Sequence, residues 1–139
     1  MTAALPWAGR ADHHCFGCSP HNPTGLQLSF ADSGDALSAE FCLDKRYESY
    51  PGVVHGGILG VICDETMGNL IVMRLGVPAL TTSMRMRYVG VVRVGGRYRC
   101  VARADFKPEL VHATAELLDF AGSVVGTATA SYKPQRSEL

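Results

Sequence analysis

Val54-His55-Gly56-Gly57-Ile58-Leu59-Gly60-Val61-Ile62-Cys63-Asp64-Glu65-Thr66-Met67-Gly68-Asn69-Leu70-Ile71-Val72-Met73-Arg74-Leu75 is the stretch that decides the fold. Within it Gly57, Val61, Asp64, Met67, Gly68, Ile71 and Leu75 recur at i, i+3, i+4 and i+7, which predicts one long helix from about Gly56 to Leu75. Ile58, Ile62 and Met73 border this stripe. Gly76 tolerates the left-handed residue that closes a helix, and Pro78 lacks the N–H needed to continue one. A helix apolar over most of its circumference belongs at the centre of a domain. Asp64 on its stripe therefore needs a partner, a raised pKa or a solvent-filled site, because burying an unpaired carboxylate costs several kcal/mol. Glu65 lies about 100° further round the helix and is expected to be solvated or salt-bridged.

Both flanks read as β-structure. Before the helix, residues 26–30 and 36–43 are short apolar runs around Asp32-Ser33-Gly34-Asp35, a strand, turn and strand. After it come four runs, over 81–89, 97–106, 110–118 and 124–132. In the first, Thr82, Met84, Met86 and Tyr88 are expected to face one way, with Thr81, Ser83, Arg85 and Arg87 facing the other. The connections, Val94-Gly95-Gly96, Lys107-Pro108-Glu109 and Asp119 to Gly122, are short enough to make neighbouring strands antiparallel. The order β-β-α-β-β-β-β is an α+β fold, with one long central helix wrapped by a six-stranded, mostly antiparallel sheet. One helix cannot cover a full sheet face and both edges, so a second copy of the chain is expected. Residues 1–25 read as an irregular N-terminal segment, 26–134 as the domain and 135–139 as a C-terminal tail.

Composition narrows the class. The chain has 139 residues, 47% of them hydrophobic and 19% charged, with thirteen basic and thirteen acidic side chains. Zero net charge speaks against a nucleic-acid partner, whose binding needs an excess of Lys and Arg on one face. Asp64 and Glu65 interrupt the most apolar region, so no membrane span is expected, and the N-terminus lacks the pattern of an export signal. Five scattered cysteines then read as reduced thiols in a cytoplasmic protein.

The chemistry concentrates at the helix start. Gly56 and Gly57 leave the first helical N–H groups approachable, and those groups with the positive end of the helix dipole suit a polarised carbonyl or an oxyanion. Gly57 and Asp64 stand seven residues apart, about 10.5 Å along the axis. A donor and an attacking or base-acting carboxylate must both come within ~3–3.5 Å of one reacting group. One chain cannot easily supply both, whereas two antiparallel helices can, each lending its N-terminus to the other's acid. That places two sites at a dimer interface.

His55, Gly56 and Gly57, followed by Asp64 nine residues after the histidine, together with Asn22-Pro23-Thr24-Gly25-Leu26 and the strand order, resemble the hotdog-fold acyl-CoA thioesterases of the phenylacetate-catabolism (PaaI-like) type. That superfamily also includes 4-hydroxybenzoyl-CoA thioesterases and the mammalian Them proteins. The Cys15-Phe16-Gly17-Cys18 opening recurs in one branch, and the likeness runs over nearly the whole domain. The resemblance implies hydrolysis of an acyl- or aryl-CoA to a carboxylic acid and CoA by a homodimer or a dimer of dimers, without metal or other cofactor, coenzyme A being part of the substrate. It makes Asp64 nucleophile or general base, the Gly57 N–H the carbonyl donor, His55 a positioning residue and Thr81 a helper of the acid or water. Gly56 borders the substrate. Ser49 stands where some relatives carry an Asn. Rival readings are a hotdog hydratase or dehydratase and a non-catalytic acyl-CoA-binding domain, against which the spacing and the acid on the buried stripe count.

Other signals are weaker. Arg85, Arg87, Arg97, Arg99 and Arg103 suit either CoA phosphates or solvent, Arg87 being the one placed at the substrate. Cys63 reads as a buried, inert thiol. His13, Cys15, Cys18 and His21 resemble zinc ligands, but structural zinc sites usually join two separated ligand pairs, so no metal is expected there.

Overall fold

The helix forms over Gly56–Leu75 (α1) in a computed structural model that describes residues 2–136. His55 caps its start and Gly76, at φ 75°, closes its end. Around α1 lie β1 (Thr2–Ala3), β2 (Phe30–Asp32), β3 (Leu37–Phe41), β4 (Ala79–Tyr88), β5 (Tyr98–Phe106), β6 (Val111–Asp119) and β7 (Val124–Pro134). They form one sheet in the order β1-β2-β3-β5-β6-β7-β4, every pair antiparallel. Six strands match the expectation, and the two-residue β1 adds an edge. No helix among the described residues is long and apolar enough to cross a membrane.

The buried face of α1 differs from the stripe read from periodicity. Leu59, Ile62, Cys63, Thr66, Met67, Leu70 and Ile71 are buried, whereas Gly57 and Leu75 are exposed and Val61, Asp64 and Gly68 half-buried. Because the helix is apolar nearly all round, its period could not choose the face; the sheet chooses it by wrapping that side. Ile62, Met67 and Ile71 meet fully buried Leu37 and Leu117 in one core, each large apolar side chain contributing ~1.5–3 kcal/mol. Thr66 satisfies its buried hydroxyl by donating to the Ile62 carbonyl at 2.7 Å.

The first strand lies later than expected, over Phe30–Asp32 rather than 26–30. Its supposed beginning is engaged elsewhere: the Leu26 N–H donates to the Phe16 carbonyl at 2.8 Å and the Leu28 N–H to the Gly17 carbonyl at 2.9 Å. A side chain at Gly25 would overlap the Phe16 carbonyl, so only glycine lets the chain pass there. The described part of residues 1–25, read as irregular, is thus stitched into the domain, with Leu5, His13, Cys18, Ser19 and Asn22 buried. At the other end the Gln135 N–H donates to the Pro78 carbonyl at 2.8 Å; residues 137–139 of the expected tail lie outside the described residues.

A bulge changes the expected faces of β4. Thr81 pairs with Tyr132 but Ser83 pairs with Ser131, so one extra residue, Thr82, sits in β4. Past it, Met84 pairs with Ala130, which shares a face with Tyr132. Thr81 therefore lies on the helix side with Met84, contrary to the strict alternation expected, and Thr82 bonds to Ser131 instead.

Candidate active site

The β4–β7 register delivers two hydroxyls to one carboxylate. Thr81 Oγ1 donates to Asp64 Oδ1 at 2.8 Å and Tyr132 Oη donates to the same oxygen at 2.7 Å. Tyr132 Oη also lies 3.2 Å from the Asp64 carbonyl oxygen. Both hydroxyls thus hold Asp64 through Oδ1. Burial, and then the charge of Asp64, push the Tyr132 phenol well above its ordinary range, so it stays a neutral donor at neutral pH.

A cleft of about 210 Å³ opens beside this group, with Asp64, Glu65, Asn69, Thr81 and Tyr132 in its wall together with Cys15 and Cys18. Asn69 is 7% exposed and its Nδ2 has no hydrogen-bond partner among the described residues. An unmet buried donor costs ~1–3 kcal/mol, so this amide suits a bound acceptor in the cleft. A larger concavity of about 420 Å³, lined by Glu40, Cys42, Arg97, Asp119 and Phe120 among others, includes none of the residues around Asp64. Asp64 and its two hydroxyl donors line the smaller cleft.

Glu65 corrects the sequence reading. It is half-buried rather than solvated, and its Oε1 lies 3.1 Å from Cys15 Sγ. Burial first, and then Cys15, raise its pKa to about 8. Cys15 is itself held down to about 5, chiefly by the Cys18 thiol donating to it, while Cys18 is pushed up.

At the helix start, His55 Nδ1 accepts from the Gly57 N–H at 2.9 Å, which requires that nitrogen to be unprotonated. The donor expected to meet a carbonyl is thus capped, although both His55 and Gly57 are exposed. Tyr88 Oη donates to the Gly56 carbonyl at 2.8 Å and ties the end of β4 to this helix end. Ser49 is exposed in the preceding turn, where its N–H donates to the Val53 carbonyl at 2.8 Å. Arg87, paired with Thr127, lies on the sheet face opposite Met84, Met86 and Tyr88, away from Asp64. The structure therefore joins Asp64 with Thr81, groups His55, Gly56 and Gly57 at the helix start, and leaves Ser49 and Arg87 outside both groups.

Tyr132 and Asn69 escaped the sequence reading, and Glu65 was read only as a solvated or salt-bridged side chain. Asn69 carried a signal, since it lies one turn beyond Glu65 and breaks the same apolar run. Tyr132 carried none, standing 68 residues from Asp64.

One long helix packed against an antiparallel sheet of six main strands is the hotdog fold. Solved structures share it. Zebrafish thioesterase superfamily member 2 superposes with a TM-score of 0.72 at 17% identity, over 81% of this chain and 88% of that one. A Streptococcus mutans protein bound to acetyl CoA gives 0.75 at 14% identity, over 93% and 98%. A phenylacetic acid degradation-related protein from Ralstonia eutropha gives 0.70 at 22% identity, over 78% and 85%. No family model and no curated protein matches the sequence.

Proposed function

We propose that the chain is an acyl-CoA thioesterase, converting an acyl- or aryl-CoA and water into a carboxylic acid and CoA. The observation that carries this reading is the Asp64 carboxylate pinned at Oδ1 by Thr81 and Tyr132 in the wall of a cleft. A carboxylate so held presents Oδ2 either to the thioester carbon, as nucleophile, or to a water, as general base; both routes use the same oxygen. A protein that only bound acyl-CoA would have no use for it. The acetyl CoA held by the Streptococcus mutans protein of the same fold supports a CoA ester as substrate.

The carbonyl donor is the Gly57 N–H of a partner chain, with Gly56 leaving room for the thioester. His55 acts as a removable cap: the incoming carbonyl oxygen takes the place of Nδ1, and the exposed ring turns away. The partner is a second copy across β4. This ten-residue edge strand is exposed over most of its length and carries Leu80, Met84 and Tyr88 at 44%, 38% and 52% exposure. An exposed apolar edge of this length invites strand pairing. Two such chains bring each helix start toward the other's acid, and pairs of dimers remain compatible with this arrangement. Arg87, on the outer face, is left to meet CoA phosphates reaching round the sheet. All five cysteines are free thiols, which fits a cytoplasmic enzyme.

The test is thiol release from a panel of aryl- and alkyl-CoA esters; turnover of none of them would refute the proposal. Tyr132→Phe keeps the ring in the core and removes one donor to Asp64. A hydrogen bond to a charged group is worth ~1.5–3 kcal/mol, so kcat should fall by roughly ten- to a hundredfold, with KM little changed. Wild-type kcat in this variant would show that Tyr132 does not position the acid.

A further inference from the structure

We propose that Cys15, Cys18, His13 and Glu65 form a structural site for zinc that fastens the N-terminal loop to α1. Cys15, Cys18 and Glu65 each offer a ligand atom, and these atoms lie within 4.8 Å of one another; His13 stands outside that trio, beside Cys18, and its ring would turn inward to complete the set. Cys15 Sγ is 3.1 Å from Glu65 Oε1, and Cys18 Sγ is 3.9 Å from His13 Nε2. Zinc bonds of ~2.3 Å to sulfur and ~2.0–2.1 Å to nitrogen or oxygen set tetrahedral ligand atoms roughly 3.5–3.8 Å apart, within about 0.5 Å of both separations.

His13, Cys15 and Cys18 alone would close too tight a loop for a structural site. Glu65 removes that objection, because it comes from the helix, 50 residues from Cys15. The site then joins two distant pieces of chain, as structural zinc sites do. Its frame is already built. Ser19 Oγ donates to the His13 carbonyl at 2.7 Å, and the Ser19 N–H donates to the Cys15 carbonyl at 3.1 Å. A side chain at Gly17 would overlap that of Glu65, so glycine lets the carboxylate reach the thiols. His13 and Cys18 are each 9% exposed, and Cys15 and Glu65 are half-buried, so an ion there would be largely shielded from solvent. The donor set, two thiols with an imidazole and a carboxylate, selects zinc over the oxygen-seeking Mg²⁺ and Ca²⁺.

An ion there would fix Cys15, Cys18 and Glu65, Asp64's neighbour, in the wall of the same cleft. It takes no part in the hydrolysis proposed above and does not depend on it.

The test uses the full chain purified under reducing conditions, with zinc measured per chain and apo-protein titrated with Zn²⁺ against a chromophoric chelator. One zinc per chain is expected, with a raised thermal midpoint on binding. In Cys15→Ser/Cys18→Ser the affinity should fall by more than the roughly 10–100-fold that loss of an outer-shell partner costs, and zinc should no longer raise the midpoint. Cys42→Ser, an exposed thiol outside the cluster, should bind as wild type. In Glu65→Ala, with native circular dichroism, a loss of tenfold or more is expected. Wild-type protein without stoichiometric zinc, or a Cys15–Cys18 disulfide that persists in reductant, would overturn the site; wild-type affinity in Glu65→Ala would overturn its bridging to the helix.

Discussion

Replacing Asp64 by Asn is expected to lower kcat for acyl-CoA hydrolysis by roughly 10²–10⁴-fold, the range attributed to a positioned acid or base, while the protein stays folded. The two halves of this expectation have separate causes. Asn keeps an amide oxygen where Asp64 Oδ1 accepts from Thr81 and Tyr132, so the cross-strand pair retains its partner and the core is undisturbed. At the other position a carboxylate oxygen becomes an NH₂ group, which neither attacks a thioester carbon nor takes a proton from water. Thiol-release assays read the first half, and thermal unfolding reads the second. A variant with wild-type turnover would remove Asp64 from the chemistry, whatever the fold.

The second large effect is expected at the β4 edge. Met84 lies mid-strand on the helix side, 38% exposed, its methyl near Gly60. Met84→Glu keeps side-chain length and costs the single chain little, because the position already meets solvent. In a two-fold dimer through β4 the substitution acts twice, removing apolar contact and bringing two carboxylates to neighbouring positions. The variant should sediment as a monomer, and its activity should fall on the order of 10²–10³-fold, the cost of losing an oxyanion donor. Raising the protein concentration should recover dimer and activity together. A folded, fully active monomer would contradict the shared site.

Much of this architecture was legible in the residues. The spacing from Gly57 to Leu75 gave the helix its bounds, and the short Gly-containing turns made the later strands antiparallel. Asp64 stood out because an acid in a strongly apolar helix demands an explanation. What remained hidden was what only three dimensions decide. An all-round apolar helix does not reveal which side the sheet will cover, so Gly57 and Leu75 were counted inward although both are exposed. The bulge at Thr82 leaves no mark in the sequence, yet it turns Thr81 toward Asp64. Tyr132 reaches the acid only through the β4–β7 register. Glu65 looked like a surface residue because nothing in the chain announces that the N-terminal loop folds over it.

The central claim is that each site takes its acid from one chain and its carbonyl donor from the other. Mixing two inactive proteins tests it most directly. Asp64→Asn lacks the acid. Gly57→Pro lacks the N–H donor at a first-turn position where proline is tolerated; its ring would press on His55, which is exposed and can give way. Random exchange makes about half the dimers mixed, each with one intact site of two, so the mixture should recover about a quarter of wild-type activity. If acid and donor came from the same chain, every site in the mixture would be broken and no activity would return.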